Sequence, residues 1–132
     1  MTGTFAWRDM LDRAQAAKLL GKEMFVVLTS PAKTMDDIKA VLPEHLAFQR
    51  GLEAQGIMFA AGPLADRDDP ETWGGEGMVL IRAASLDAAK QIADSDPMHS
   101  SGARTYVLRR WLINEGGFTL RVGFSSGGFE LC

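Results

Sequence analysis

The sequence is poor in several of the residues that announce a function. It has one cysteine, Cys132 at its extreme C-terminus, one tyrosine and two histidines. A lone cysteine excludes an internal disulfide and a cysteine-built zinc site. No apolar run approaches the roughly 18 residues that a membrane-spanning helix needs. Near the N-terminus Arg8, Asp9, Asp12 and Arg13 interrupt what would be the apolar core of a signal peptide. The aspartates there also speak against an organelle transit peptide, which is poor in acidic residues. Positive charge is not in surplus: 14 Lys and Arg against 17 Asp and Glu leave a formal net charge of -3. The basic residues are scattered, and the adjacent pair Arg109-Arg110 falls in a predicted strand, whereas a nucleic-acid binder carries a basic patch or stripe. The expectation is a cytoplasmic protein in a reducing setting, with neither nucleic acid nor membrane as partner.

What is present fits one globular domain over residues 1–132. The length lies within the common domain range of about 100–150 residues. A content of 46% hydrophobic and 23% charged residues is that of a folded chain, not a disordered one. Residues 5–21 read as an amphipathic helix, because Trp7, Met10, Leu11, Ala14, Ala17 and Leu20 or Gly21 recur at helical spacing. Such a helix would cover a sheet or a partner subunit. Its polar face is not basic enough for a membrane-surface helix.

From Met24 the pattern changes. Residues 24–29 form a short β-rich apolar run, read as a buried strand that Ser30-Pro31 ends. Thr34 can cap a short helical turn, with Asp36 and Asp37 at its positive end. Proline is comfortable at the first helical position, so the main helix is expected from Pro43 to Gln55, closed by Gly56. A second strand, 57–61, ends at Gly62-Pro63. A polar, acidic, glycine-rich loop follows over 65–77. Residues 78–82 form a third strand, and 86–93 a second helix capped by Ser85. Asp96-Pro97 gives another cap signal, and 105–113 is a fourth strand rich in β-branched and aromatic residues.

The core, 24–113, thus reads β-α-β-β-α-β. That is the α+β, ferredoxin-like arrangement, an antiparallel sheet with both helices on one face. The sheet's other face needs cover, and two such sheets packed face to face give a homodimer or higher homo-oligomer. Beyond the core, Phe118, Leu120, Val122 and Phe124 alternate with a period of two, which predicts an extra strand. Phe129 and Leu131 can supply a further one. This C-terminal β extension, 115–132, would lengthen the sheet or reach across to a partner. Residues 1–23 are the N-terminal helical extension.

The residue that stands out chemically is His45. At 100° per residue it shares one helix face with Phe48, Gln49 and Leu52. A core-facing histidine must find partners for its ring nitrogens. It can be a satisfied structural histidine, or a general acid or base at the mouth of a cleft. Asp96 reads first as a helix cap followed by proline, yet a carboxylate fixed in that way can also hold a histidine's tautomer. His99 reads as a loop or surface histidine. Two histidines and an aspartate at this spacing match no metal motif. The loop bearing Asp66, Arg67, Asp68, Asp69 and Trp73 reads as a solvated turn, or as a lid that offers Arg67 and Trp73 to a ligand. Ser125-Ser126-Gly127-Gly128 lacks the lysine and helix of a phosphate loop, and no nucleophile elbow is visible.

In order and spacing these segments resemble the YCII-related (YciI-like) family. The resemblance is carried by Pro43-x-His45-Leu46, Gly56, Ala61-Gly62-Pro63, Met78–Arg82, Ser85-Leu86-Asp87-Ala88-Ala89 and Ala93-Asp94-Ser95-Asp96-Pro97. It covers roughly residues 24–113. It implies a dimeric α+β barrel and a His–Asp active-site pair, which falls on His45 and Asp96. It also implies kinship with muconolactone-isomerase-like proteins that act on small ring compounds without a cofactor. Gln49 stands where an apolar helix residue is expected, one turn from His45, and makes the pocket more polar. The expected function is a cofactor-free, metal-free lyase or isomerase acting by acid–base chemistry on a small cyclic or carbonyl-bearing molecule. His45 and Asp96 would be catalytic, with Gln49, Arg67 and Trp73 as substrate contacts. The alternative is a non-catalytic small-molecule-binding or accessory protein of the same fold.

Overall fold

The structure, a computed structural model, describes residues 3–132. The chain divides into two compact units, Glu23–Trp111 and a second built from the terminal stretches, Met1–Lys22 with Leu112–Cys132. Across the first unit run β1 (Lys22–Pro31), α2 (Met35–Ala54), β2 (Met58–Pro63), β3 (Gly77–Ile81), α3 (Leu86–Ser95), the short α4 (Pro97–Ser100) and β4 (Arg104–Ile113). The terminal stretches hold α1 (Trp7–Ala16), β5 (Leu120–Val122) and β6 (Phe129–Leu131).

The four core strands form one sheet in the order β2-β3-β1-β4. β3 runs antiparallel to both of its neighbours, with Val27 opposite Val79 on β1 and Ala61 opposite Val79 on β2. This is the ferredoxin-like β-α-β-β-α-β arrangement that the hydrophobic patterning predicts. Period-two alternation sends Phe25, Val27 and Ile81 toward the helices, where they bury against Ala89 and Ala93 of α3. Phe48 and Leu52 of α2 close over the same region. On the outer side of β4, Val107 and Trp111 remain exposed, at 60% and 44%.

The largest departure from the sequence reading is α2. It starts at Met35, not at Pro43, and carries Pro43 in its interior. Its start is fixed by a reciprocal cap. The Asp37 amide donates to Thr34 Oγ1 at 3.2 Å, and the Thr34 amide and hydroxyl donate to the Asp37 carboxylate at 3.3 and 2.8 Å. That cap gathers orphan amides and places two acidic residues at the helix's positive end. The single hydrogen bond that Pro43 forfeits does not outweigh a helix packed along its length. Gly56 ends the segment with φ of +71°, the left-handed value that favours glycine.

Smaller corrections have equally plain causes. Gly62 and Pro63 lie inside β2, not beyond it. The sheet order makes β2 an edge strand, where a proline has no ladder bond to lose. A bulge between Met58 and Ala60 shifts the β2 register. α1 ends at Ala16, short of the expected residue 21, and of its apolar stripe only Ala14 is buried. The alternating C-terminal residues do form strands, but β5 and β6 pair antiparallel with each other as a separate two-stranded sheet. They do not lengthen the main sheet. Among the described residues no helix is long and apolar enough to cross a membrane.

Candidate active site

Two local features of the backbone bring His45 and Asp96 together. The α2 helix presents His45, Gln49 and Leu52 on one face, as 3.6-residue periodicity requires. Asp96 sits at the junction between α3 and α4. It ends one helix and caps the next, its Oδ1 accepting the Met98 amide at 2.9 Å while Pro97 fills the first helical position. The cap fixes the carboxylate against the start of α4. His45 Nδ1 then lies 2.8 Å from Oδ1 and 2.9 Å from Oδ2, and Gln49 Nε2 donates to Oδ2 at 3.3 Å. The Asp96 side chain is 5% exposed and that of His45 is 20% exposed.

The proton positions follow from these contacts. An ionised carboxylate only accepts, so Nδ1 of His45 carries a hydrogen and donates it. In the neutral ring Nε2 is then an unprotonated lone pair, and it has no hydrogen-bond partner among the described residues. Burial works to raise the Asp96 pKa. The hydrogen bonds from His45 and the Met98 amide outweigh it and hold the carboxyl below its ordinary value. The pair therefore keeps the negative charge on Asp96, with Nδ1 of His45 as its donor.

His45 and Gln49 line a cavity of about 560 Å³ under α2, walled on the other side by β2 and β3. Its lining is mostly apolar: Ile38, Leu42 and Leu46 from the helix, Met58, Met78 and Val79 from the sheet. Size and lining are those of a small-molecule site. Gln49 Oε1 is buried without a partner, because the amide's nitrogen is committed to Asp96.

The glycine-bearing loop contributes to the cavity through Trp73 but not through Arg67. Trp73 lines the cavity, and its indole N–H is shared by the carbonyls of Leu64 and Glu76 at 3.1 and 2.9 Å. Arg67 does not line it. Its guanidinium is held by the neighbouring Asp66 at 2.9 Å, and Asp66 in turn accepts the Gly74 amide at 3.2 Å. The Arg67 contact, followed by the Gly74 amide, holds the Asp66 carboxyl below its ordinary value despite the opposing effect of burial. The loop is thus tied to itself and to the strand ends while residues 65–74 stay exposed, as its reading as a solvated turn expects.

Three residues at this end of the sheet were not anticipated as a group. Arg104, the first residue of β4, donates through Nε to Thr29 Oγ1 at 2.9 Å and through Nη2 to the Thr29 carbonyl at 3.1 Å and to the Gly75 carbonyl. Because Thr29 Oγ1 accepts from arginine, its own hydrogen points to His99 Nε2, 3.1 Å away. His99 Nδ1 donates to the Ala93 carbonyl at 2.7 Å. Both nitrogens of His99 are satisfied within the protein, so this histidine plays a structural part. It is not the surface residue its position in the sequence suggests. The missed signal was strand parity: Arg104 lies on the same face as Tyr106 and Leu108, which pack in the core. A charged residue on a core-facing position is the cue. Among the described residues no three His, Cys, Asp or Glu side chains converge to hold a metal ion.

Comparison with known proteins agrees with this architecture. The model of the YCII-related domain matches residues 24–112. Protein YciI of Escherichia coli O6:H1 is 34% identical over 79 residues, which span 58% of this chain and 81% of the relative. The Shigella flexneri protein of the same name matches to the same extent. Among solved structures, 5-chloro-2-hydroxyhydroquinone dehydrochlorinase (TftG) from Burkholderia phenoliruptrix AC1100, in complex with 2,5-dihydroxybenzoquinone, superposes with a TM-score of 0.53. That match covers 67% of this chain and 92% of the other at 18% identity, a likeness of fold. By sequence and by fold, the chain belongs to the YCII-related family.

Proposed function

We propose that this protein is an acid–base enzyme of lyase or isomerase type, in which His45 moves a proton on a small cyclic or carbonyl-bearing molecule held in the cavity under α2. The observation that carries the proposal is the 2.8 Å contact between His45 Nδ1 and Asp96 Oδ1, which leaves Nε2 as the ring's uncommitted nitrogen in a residue that lines the cavity. Asp96 fixes the tautomer and stabilises the imidazolium that forms when Nε2 takes a proton. His45 returns that proton to a neighbouring carbon or to a leaving group. Trp73 and Gln49 border the bound molecule, and Arg67 acts at a remove by holding the loop that carries Trp73. The chemistry uses no cofactor in this reading. The dehydrochlorinase activity of the structural neighbour, a lyase-type reaction on a hydroxyhydroquinone ring, supports the reaction class and the ring substrate.

We further propose that the protein works as a homodimer or higher homo-oligomer in the cytoplasm. The exposed Val107 and Trp111 on the outer side of β4 suit burial against a second copy. Sedimentation velocity of the wild type and of Trp111→Glu tests the assembly; a monomeric wild type contradicts it.

The activity is tested by incubating the protein in deuterium oxide with a panel of small enolisable cyclic ketones and diones. Mass spectrometry then follows deuterium entering at carbon. A well-placed general base contributes about 10²–10⁴-fold, so His45→Ala should lose exchange by about that factor. Equal exchange in wild type and variant removes His45 from the mechanism and leaves a binding protein.

A further inference from the structure

Arg104 is a buried cation without an anion. It is 9% exposed, and among the described residues it forms no ion pair with a carboxylate. Its Nε and Nη2 are spent on three neutral oxygens, Thr29 Oγ1, the Thr29 carbonyl and the Gly75 carbonyl. Nη1 has no hydrogen-bond partner among the described residues. The opposite charges of Asp96 and Glu76 act on it only through space. Asp96 has already committed its oxygens to His45, Gln49 and the Met98 amide. A guanidinium in such a place is costly unless something pairs with it.

Two features show that the group is held in place. Gly75, which supplies one of the three oxygens, has φ of +92°, and a Cβ there would stand 2.5 Å from Pro31 Cγ. Only glycine delivers that carbonyl. Gly77 gives Thr29 its space, since a Cβ there would stand 3.2 Å from Thr29 Cγ2. Arg104 lines the same cavity as His45, whose other walls are largely apolar. A pre-oriented cation in a low-dielectric cavity recognises a charged oxygen far better than the same cation in water does.

We propose that Arg104 is the anion-recognising residue of the cavity, and that the molecule bound there is a small, largely apolar compound carrying one anionic oxygen, a carboxylate, phenolate or enolate. This rests on the cavity being the substrate site, as in the function proposed above, but not on His45 acting as a base. If the two act together, the charge left on oxygen when His45 removes a proton from carbon faces Arg104.

The test is binding by calorimetry, with benzoate against its neutral isostere benzamide, and 4-nitrophenolate against 4-nitroaniline. Wild type, Arg104→Lys, Arg104→Met and His45→Ala are compared. A charge-assisted hydrogen bond shifts affinity by about 10- to 100-fold. The wild type should prefer at least one anion over its isostere by that factor, and which anion it prefers identifies the type of oxygen. Arg104→Met should lose the preference. Arg104→Lys should keep it while binding the anion more weakly, because an ammonium cannot span Thr29 and Gly75 as a guanidinium does. If Arg104→Met does not fold, the wild-type preference and the lysine variant decide. His45→Ala should keep the preference even where proton exchange is lost, so the two readings fail separately. A wild type that binds neither anion at millimolar concentration, or binds the isosteres equally well, overturns the proposal. So does an unchanged anion affinity in either Arg104 variant.

Discussion

Replacing Asp96 by asparagine isolates the charge of the pair from its shape. Oδ1 accepts both the Met98 amide and His45 Nδ1, at 2.9 and 2.8 Å, and these demands require an oxygen. The new amide nitrogen is therefore driven to the Oδ2 position, where it meets Gln49 Nε2 at 3.3 Å, donor against donor. Gln49 resolves the conflict by turning its amide over. Its Oε1, buried and unpartnered in the wild type, then accepts from the asparagine. Asparagine also caps helices as well as aspartate does. The His45 tautomer survives, and what is lost is the carboxylate's charge and one arm of a bifurcated hydrogen bond.

A charge-assisted bond contributes about 1.5–3 kcal/mol against roughly 0.5–1.5 for a neutral one, so the variant should lose about 1–2 kcal/mol at neutral pH. In a domain of this size that is a fall in Tm of roughly 3–10 °C. The pH dependence gives the sign. The folded pKa of Asp96 is depressed, so its contribution is complete above the ordinary carboxyl pKa of about 4 and disappears as pH falls through the lower folded value. Urea unfolding of both proteins should show a gap at neutral pH that closes below about pH 4. A gap that stays constant into acid, or a His45 that carries its proton on Nε2 in the ¹⁵N spectrum of the variant, would refute this account of the pair.

Other consequences are as direct. Gln49→Leu removes an orphaned buried oxygen together with one hydrogen bond to Asp96, two opposing effects of about 1 kcal/mol each, and should change stability by less than about 1 kcal/mol in urea unfolding. Thr29→Val breaks the chain from Arg104 to His99 and leaves buried polar groups unpaired; the same measurement should show a loss of about 1–3 kcal/mol. Gly75→Ala forces a side chain into a left-handed φ against Pro31, and should weaken anion binding as well as fold stability. Tyr106 is the chain's one tyrosine, and burial, followed by its 2.5 Å bond to Asp94, pushes its phenol up to about 12. Phenolate absorbance should therefore titrate as a single late step that Asp94→Asn moves toward the ordinary tyrosine value.

The core of the fold was legible because its elements obey short-range rules. Alternation marked the strands, Ser85 marked the start of α3, and Gly56 marked the end of α2. The start of α2 was misplaced because a proline reads as a boundary. Whether the helix continues through it depends on packing along the whole element, which no local window reports. The apolar stripe of α1 overstated its burial for a similar reason: periodicity says which residues share a face, not whether anything covers them. His45 and Asp96 were visible as residues, one as an inward histidine and the other as a cap. Their separation of 2.8 Å is a tertiary fact. Arg104 carries one cue in its own strand, the core-facing parity it shares with Tyr106 and Leu108, whereas Thr29 looks ordinary in its strand. Only the β1–β4 neighbour relation and the return of the Gly75 loop bring them together.

The central claim is that Asp96 holds His45 with Nδ1 protonated and Nε2 free to act as a base. Long-range ¹H–¹⁵N correlation of the two imidazoles, at a pH high enough to leave both neutral, reads this directly. His45 should show a protonated Nδ1 and a bare Nε2, and only His45, not the fully bonded His99, should respond at Nε2 when a ligand fills the cavity. A neutral His45 with its proton on Nε2, or an Nε2 that no cavity ligand perturbs, contradicts the account.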